Sequence, residues 1–325
     1  MRHIEPASGS ANVSAKSSIT GGFRRTVAKD FVRNKYIYMM VVPVVIYYII
    51  MHYMPMYGAV IAFKQFNIAK GIWNSPWVGF KHFQEFFESY YFWRVVRNTL
   101  LINFYGLIFG FPAPIILALL LNEIRAALFK RVIQTATYLP HFISLIVICG
   151  MIIDFVGREG LINDIIVWFG GERSSSLLSE AGNFRTIFIA SGVWQEIGWG
   201  SIIYLVALSG INPELYEASK VDGAGRWRQL FHITIPGITP IILILLILKI
   251  GHMMDVGFEK IILLYNPTTF ETADVISSYV YRKGLSGGYE YSSSSAIGLF
   301  QSLINFSLLI TANWLTKRMN GSGLW

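Results

Sequence analysis

Long apolar segments alternate with polar segments along the whole chain. They lie at residues 36–56, 98–122, 132–153, 186–208, about 236–256 and 291–316. A helix that crosses a bilayer needs about 20 predominantly apolar residues, and each segment meets that length. The segments lack the alternation of apolar and polar residues that marks the strands of a membrane barrel. The pattern therefore predicts an all-α polytopic membrane protein with about six transmembrane helices.

The composition agrees with a membrane location. The chain is 54% hydrophobic and only 14% charged, whereas a typical soluble domain is about 25% charged. The net charge of +8 raises the question of a nucleic-acid partner. Basic residues do not form a stripe with interleaved aromatic residues, so we expect no nucleic-acid binding. The single cysteine, Cys149, excludes an intrachain disulfide.

The polar leader at the N-terminus indicates the orientation. Residues 1–35 are rich in serine and glycine, and we expect this leader to be partly disordered. Its end is basic, and cytoplasmic segments near membrane spans are enriched in Lys and Arg. With six spans, both termini are then cytoplasmic, and residues 36–325 form the transmembrane domain. The same side receives basic residues from two other short segments: Arg125, Lys130, Arg131, Lys317 and Arg318.

Three longer segments are predicted on the opposite, extracytoplasmic side, at 64–95, 157–184 and 260–290. Aromatic residues at helix-like spacing in the first segment predict one helix that lies in the membrane interface. They are Trp73, Trp77, Phe80, Phe83, Phe86 and Phe87. Within the second segment, residues 160–170 predict a short amphipathic helix.

A polar loop at residues 210–236 separates the fourth and fifth apolar segments. Asn212 suits a helix N-cap, and Pro213 suits the first helical position. Gly223 can adopt the left-handed conformation that ends a helix. A second helical stripe follows and is predicted to stop at Pro236. The loop therefore predicts a helix, a sharp bend and a second helix before the next span.

The residues of this loop resemble a known motif. Acidic and small residues form a pattern in this loop, and they are Glu217, Ala218, Ser219, Asp222, Gly223 and Ala224. Together with Phe231 and Pro236 behind them, they have the spacing of the EAA loop of ATP-binding-cassette importer permeases. Ser219 stands in place of the usual alanine. Further segments are similar to the oligosaccharide- and polysaccharide-type permeases, among them PWVGF at 76–80, GFPAPIILALLLNEIR at 110–125 and QTATYLPHFIS at 134–144.

The resemblance implies the type I importer permease fold and a transport function in the cytoplasmic membrane of a bacterium. It implies that the 210–236 loop carries a coupling helix that docks on a separate ATP-binding subunit. The implied partners are two such subunits, a second permease in a heterodimer, and an extracytoplasmic solute-binding protein. The implied cargo is an oligosaccharide or polysaccharide, with alginate or another uronate-containing polymer as the more specific expectation.

We expect the chain to have no nucleotide site of its own. The sequence has no G-x-x-x-x-G-K-[ST] loop to hold phosphates, so ATP and Mg²⁺ are expected on the partner subunits and no cofactor on this chain. The segment 285–289, LSGGY, resembles part of a cassette signature but falls in a Gly/Ser-rich connector, where we interpret it as a turn. We expect no metal site and no catalytic residues.

Polar residues within the apolar segments are candidates for a sugar path. A charge at mid-bilayer costs at least about 2.5–3.5 kcal/mol, so such groups usually face a cavity or a partner. Hydrogen-bonding groups beside aromatic rings suit sugars, but these residues can equally pair with one another or with a second permease. The candidates are Gln195, Glu196, Trp199, Lys249, His252, Asp255, Gln301 and Asn305.

Two other classes of function remain as alternatives. An ion-coupled secondary transporter could use Glu196 together with His252, Asp255 and Glu259, the last three of which we expect on one face of the fifth span with Lys249. A membrane-embedded enzyme would need a carboxylate or metal constellation, and the sequence shows none. The ion-coupled transporter has no evident use for the 210–236 loop.

Overall fold

A computed structural model describes residues 33–320 and residue 323. These residues form helices and no strand, with only two isolated bridges, Lys64 to Trp77 and Gly157 to Ser176. The all-α prediction is therefore confirmed. The predicted leader falls almost wholly outside the described residues. The chain divides into one unit that ends at Ala59 and a second that begins at Val60.

Within the described residues, the sixteen α-helices of at least four residues are numbered in chain order, and several are joined end to end by π or 3₁₀ turns. They are α1 (Lys35–Tyr48), α2 (Gly71–Asn74), α3 (Lys81–Glu88), α4 (Phe92–Tyr105), α5 (Pro112–Glu123), α6 (Ala127–Tyr138), α7 (Leu145–Val156), α8 (Leu161–Trp168), α9 (Ala181–Ser209), α10 (Pro213–Val221), α11 (Arg226–Gln229), α12 (Ile235–Gly251), α13 (Phe258–Leu264), α14 (Phe270–Ala273), α15 (Ile276–Gly284) and α16 (Tyr291–Asn320).

Four continuous helical segments are long and apolar enough to cross a membrane: Lys35–Phe63, Phe92–Glu123, Arg226–Gly251 and Tyr291–Arg318. A bent pair of helices, Ala127–Phe142 and Leu145–Val156, makes a fifth candidate. The predicted fourth span corresponds to α9, which has 29 residues and is long enough to cross. Its polar residues make it less apolar than the others. The helices thus lie where the sequence predicts spans, although the third and fifth spans and the extracytoplasmic segment 64–95 differ in shape from the prediction.

The third predicted span is not a straight helix. α6 and α7 meet at a bend of 104°. The chain passes through a short 3₁₀ turn at Leu139–Phe142 and is extended at Ile143 and Ser144. Pro140 supports this break because a proline in a helix lacks the N–H that would continue the hydrogen-bond ladder. The prediction of one continuous crossing at 132–153 is therefore wrong.

The fifth span begins earlier and ends earlier than predicted. A continuous helix runs from Arg226 through a π turn at Leu230–Thr234 and ends at Gly251. Pro236 therefore does not stop the helix, because the wider π turn before it accommodates the missing hydrogen bond. Asp255 and Glu259 lie beyond the end of α12, so the predicted common face with Lys249 is wrong.

The segment at 64–95 is not one interfacial helix. It contains two short helices, α2 and α3, and α4 begins already at Phe92. Its aromatic residues therefore do not share one exposed face. Trp73 and Phe80 are exposed, whereas Phe86 is buried in the core. The prediction for residues 160–170 is confirmed by α8 and by Gly170, whose φ is +85°.

The second unit holds three clusters of buried apolar side chains. One joins α7, α9 and α13 around Ile148, Phe184 and Ile261. Another includes Val95 of α4 and Ile297 of α16. The third contains Ala118, Tyr204, Leu208 and Ile238, and so joins α5, α9 and α12. α9 takes part in the first and third clusters and α4 in the first and second, so these two helices connect the three clusters.

Candidate functional site

The 210–236 loop folds as the sequence predicts at its start and at its bend. The side chain of Asn212 accepts a hydrogen bond from the backbone N–H of Glu214 at 3.0 Å, and α10 begins at Pro213. α10 ends at Val221, and Gly223 has a φ of +74°. This left-handed conformation favours glycine, because a side chain there is sterically strained. The bend therefore depends on a glycine at this position.

The loop presents acidic and apolar side chains to the outside. Four of the six predicted docking residues, Glu217, Ala218, Asp222 and Gly223, are exposed, and Ser219 and Ala224 are half-buried. The carboxylate of Glu217 forms no ion pair with a described residue. Beside these acids, Val221 is 89% exposed. Exposed apolar residues next to unpaired acids are suited to contact another protein.

Two side-chain hydrogen bonds fasten α10 to the helix that follows the bend. Gln229 Nε2 donates to Ser219 Oγ at 2.9 Å, and the hydroxyl groups of Tyr216 and Thr234 lie 3.0 Å apart. Sequence reasoning missed this pair of contacts. The signal was the serine at position 219, because its hydroxyl supplies an acceptor that alanine lacks. The loop and the start of the Arg226–Gly251 helix consequently form one hydrogen-bonded unit.

A cavity of about 550 Å³ lies among α4, α5, α9 and α12. Three of the predicted path residues line it, namely Glu196, Lys249 and His252. The other lining residues are largely apolar, and they include Phe111, Pro114, Phe188, Ile197 and Leu245. We call this the Glu196 cavity. It combines a carboxylate, an ammonium and an imidazole within an otherwise apolar wall, which is the character of a site for a polar ligand.

His141 organises two of the predicted residues but was itself missed. Its Nδ1 lies 3.1 Å from Glu196 Oε2, and its ring stacks on the ring of Trp199 with centroids 4.5 Å apart. The bend between α6 and α7 brings His141 here. Gly198 permits the approach, since a Cβ at this position would lie 2.1 Å from the carbonyl oxygen of Thr137. No sequence signal linked residues this far apart.

The remaining predicted path residues have other surroundings. Asp255 accepts one hydrogen bond from Gln301 Nε2 at 2.7 Å and lies 3.1 Å from His252. Asn305 accepts from the backbone N–H of Met254 at 2.9 Å. These contacts fasten the turn after α12 to α16. Asp255, Gln301 and Asn305 therefore stabilise the fold at this point, and neither they nor Gln195 and Trp199 line the Glu196 cavity.

Metal chemistry has no evident place among the described residues. They include no group of three or more His, Cys, Asp or Glu side chains that could hold a metal ion. The two paired sites, His141 with Glu196 and His252 with Asp255, each offer only two potential ligands. A stable protein metal site normally has more.

Comparison with known proteins shows similarity over nearly the whole chain. A family model described as "Binding-protein-dependent transport system inner membrane component" matches residues 110–321. The polygalacturonan/rhamnogalacturonan transport system permease protein YteP of Bacillus subtilis (strain 168) is 43% identical over 93% of this chain and 94% of its own. Protein LplB of the same organism is 44% identical over 90% and 92%.

A solved structure is similar in both fold and sequence. It is a chain in the crystal structure of a bacterial ABC transporter involved in the import of the acidic polysaccharide alginate. The similarity covers 91% of this chain and 99% of that chain, with 42% sequence identity and a TM-score of 0.84. The same values hold for the alginate transporter in complex with an alginate pentasaccharide-bound periplasmic protein.

Proposed function

The chain belongs to the family of binding-protein-dependent transport system inner membrane components, and we propose that it carries an acidic oligosaccharide or polysaccharide across the bacterial cytoplasmic membrane. It is a multi-pass permease subunit of a sugar importer. The observation that supports an acidic cargo is the similarity, over more than nine-tenths of the chain, to permeases named for polygalacturonan and alginate. Both polymers consist of uronate units, so the cargo proposed is a uronate-containing sugar chain.

The energy for transport comes from partner subunits. Two ATP-binding-cassette subunits would bind ATP and Mg²⁺ and hydrolyse the nucleotide, and this chain would do no bond chemistry of its own. The exposed face of α10, with Glu217 and Asp222, is the surface that would dock in a groove of one such subunit. The hydrogen bonds from Gln229 to Ser219 and between Tyr216 and Thr234 support this role. They allow a movement of α10 to be transmitted directly to the Arg226–Gly251 helix.

The Glu196 cavity is the proposed part of the translocation path. Its carboxylate, ammonium and imidazole can exchange hydrogen bonds with sugar hydroxyl groups. Trp199 does not line the cavity but stacks on His141, the partner of Glu196, and so helps to hold this carboxylate in place. A second permease would form the other wall in a heterodimer, and alternating access would open the path to one side at a time.

The remaining partner is an extracytoplasmic solute-binding protein that delivers the cargo. In the proposed orientation both termini are cytoplasmic, so the 210–236 loop faces the ATP-binding subunit. The helices α2, α3, α8, α13, α14 and α15 then lie on the side of the binding protein. The basic residues near the cytoplasmic ends of the spans agree with this orientation.

An ion-coupled secondary transporter is not supported. The family and the related structures are those of ATP-driven importers. The four groups that such a mechanism would use also do not all form one site. Glu196 and His252 line the same cavity and His252 lies 3.1 Å from Asp255. Glu259 lies on α13 and is not in that wall, and Glu196 pairs with His141.

Uptake by the purified system tests the proposed function. The chain is reconstituted in vesicles with its second permease, its ATP-binding subunits and the binding protein. We expect uptake of labelled oligogalacturonate or oligoalginate that requires ATP and is abolished by vanadate. Uptake that resists vanadate and collapses with a protonophore would contradict the proposal. A Glu217→Ala variant should bind the ATP-binding subunit less tightly and lose uptake.

A further inference from the structure

A second cavity, of about 720 Å³, adjoins the Glu196 cavity. The two cavities share Ile189 and Val193 in their walls. The other residues of its wall are Tyr105, Phe109, Gly182, Arg185, Thr186 and Ala190. We call it the Arg185 cavity. None of the path residues predicted from the sequence lies in this wall.

Arg185 is the one charged residue of that wall, and its guanidinium is held in a fixed position. Its Nη2 donates to the side-chain oxygen of Asn98 at 2.7 Å. Asn98 is itself fully buried, and its amide nitrogen donates to the carbonyl oxygens of Glu271 and Asp274 at 2.8 and 2.9 Å. Since these two contacts fix the nitrogen end of the amide, the oxygen end must face Arg185.

The charge of Glu271 acts favourably on Arg185 and that of Arg97 opposes it, but no carboxylate of a described residue pairs directly with the guanidinium. Arg185 forms no ion pair with any described residue. The single bond to Asn98 uses one of its five N–H groups, and its buried Nε makes no hydrogen bond with the described residues. The N–H groups of Nη1 and the second N–H of Nη2 remain for another acceptor. A planar guanidinium matches a carboxylate in geometry and charge, and such paired hydrogen bonds are strong.

The rest of the wall suits a sugar ring. Tyr105 and Phe109 are exposed and lie one helical turn apart, where α4 passes into the π turn at Gly106–Gly110. Their rings offer apolar faces for the C–H groups of a pyranose. Thr186 adds a hydroxyl, which makes no hydrogen bond with a described residue. The wall thus provides a cation, aromatic surface and a hydroxyl together.

Arg185 and Glu196 lie on the same face of α9. They are 11 residues apart, which at 3.6 residues per turn returns to the same side of the helix after a rise of about 16 Å. The two cavities therefore follow one another along α9. Their charges differ, because Lys249 balances Glu196 in one cavity, whereas Arg185 has no acidic neighbour in the wall of the other.

We propose that the Arg185 cavity is a binding subsite for one uronate unit of the transported sugar chain. The carboxylate of that unit binds the Arg185 guanidinium, and its ring lies against Tyr105 and Phe109. Selection for an acidic cargo then resides in the Arg185 cavity, while the charge-balanced Glu196 cavity contacts hydroxyl groups. This inference rests on the proposed function and adds to it the place where the acid is recognised.

The test compares a free acid with its neutral ester in the same complex. The chain is assembled with its partner subunits in phosphatidylcholine vesicles, and uptake of trigalacturonate and of its methyl ester is measured for wild type and for Arg185→Gln. Each variant is compared with wild type on the same substrate, so the preference of the binding protein cancels. We expect Arg185→Gln to lower the uptake efficiency for the acid about tenfold, which is about 1.4 kcal/mol. The ester should change by less than about twofold.

Three further variants separate recognition from folding. Arg185→Lys keeps the charge without the planar fork and should fall between wild type and Arg185→Gln for the acid. Phe109→Ala alters an exposed ring, so it should fold normally and impair both substrates alike. Arg131→Gln removes an exposed arginine of α6 outside the cavity and should leave both uptake rates unchanged.

Several results would overturn the inference. If Arg185→Gln affected acid and ester equally, Arg185 would not be the group that binds the carboxylate. The same conclusion would follow if the variant affected neither substrate while wild type imports the acid. An effect that appears only when anionic phospholipid is added would assign the guanidinium to a lipid headgroup. Failure of the wild-type complex to import either sugar would instead refute the proposed function, and the inference would fall with it.

Discussion

The Nη2 group of Arg282 lies 2.7 and 2.8 Å from the two carboxylate oxygens of Asp274. Asp274 is fully buried, and it also receives hydrogen bonds from Arg94 at 2.9 Å and from Ser278 at 2.8 Å. Burial alone would lower the pKa of Arg282, but the hydrogen bond and charge of Asp274 raise it above its usual value. Asp274 therefore links α4 and α15 through one carboxylate.

Asp274→Asn should strongly destabilise the folded chain. The substitution keeps the shape of the side chain but leaves two partly buried guanidinium groups without their counter-charge. Loss of one partner of a buried ion pair typically costs about 3–5 kcal/mol. We expect a large fall in the melting temperature of the detergent-solubilised complex. Asp164→Asn is the matched control, because its pair with Arg173 is exposed and should contribute at most about 1 kcal/mol. Equal melting temperatures for the two variants would contradict this account.

Gln229→Leu should weaken coupling between ATP hydrolysis and uptake. Without the bond to Ser219, α10 loses one of its two side-chain links to the next helix, a loss of about 1 kcal/mol. We expect the sugar imported per ATP hydrolysed to fall several-fold, while basal ATP hydrolysis by the complex persists. Both rates are measured on the same vesicles.

A double-mutant cycle distinguishes this coupling effect from general damage to the loop. If Gln229 acts through Ser219, then Ser219→Ala combined with Gln229→Leu should be no worse than Gln229→Leu alone. Ser209→Ala is a control, since that hydroxyl bonds only to the carbonyl of Val206 within its own helix. Additive losses in the double variant would show that the two side chains act separately.

The sequence predicted the loop well because its determinants are local. Asn212 and Pro213 start α10 through contacts within a few residues, and the φ of Gly223 is a property of that residue alone. The approximate positions of the membrane helices were also predictable, since bilayer thickness sets the length of an apolar segment. The fold class and the helix and bend of the 210–236 loop could therefore be predicted without any tertiary contact.

The cavities could not be predicted in the same way. His141 reaches Glu196 only because the chain bends by 104° near Pro140, and the uninterrupted apolar run hides that bend. Asp255 was placed on the fifth span because its spacing from Lys249 suits a helix, but α12 ends before it. Arg185 directly precedes the apolar segment 186–208, and a charged residue at that position ordinarily marks only the end of a membrane span. In each case a long-range contact decided the role.

His141→Ala should impair uptake more than His141→Phe. Phenylalanine keeps an aromatic ring against Trp199 but loses the bond to Glu196, whereas alanine loses both. We expect His141→Phe to lower uptake efficiency several-fold through loss of the bond to Glu196. His141→Ala should lower it further through the additional loss of stacking on Trp199, and each contact contributes about 1 kcal/mol. Basal ATP hydrolysis and assembly should remain normal for both. Identical uptake by the two variants would mean that the stacking on Trp199 has no role.

Lys260 should make the free energy of unfolding depend on pH in the alkaline range. It is buried on α13, between the last two spans, with Nζ 3.4 Å from the carbonyl oxygen of Phe188. Burial lowers its pKa from 10.5 to about 8, and the charges of Cys149 and Glu196 oppose this only in part. The folded chain therefore releases this proton at a lower pH than the unfolded chain. Stability should rise as the pH increases from about 8 towards 10.5, because the unfolded state then binds more protons.

Lys260→Met isolates this contribution because it keeps the length of the side chain and removes the charge. At pH 7 the variant should be more stable than wild type by up to about 3 kcal/mol, the free-energy equivalent of the shift in pKa. The difference should shrink as the pH rises past 8, since wild-type Lys260 then becomes neutral in the folded state. Melting temperatures of both proteins at pH 7, 8 and 9 measure the effect, and Lys81→Met, on an exposed side chain, is the control. A difference that does not change across this range would show that Lys260 stays charged when folded. The Phe188 carbonyl oxygen and the Phe188 ring, whose centroid lies 5.1 Å from Nζ, would then compensate for its burial.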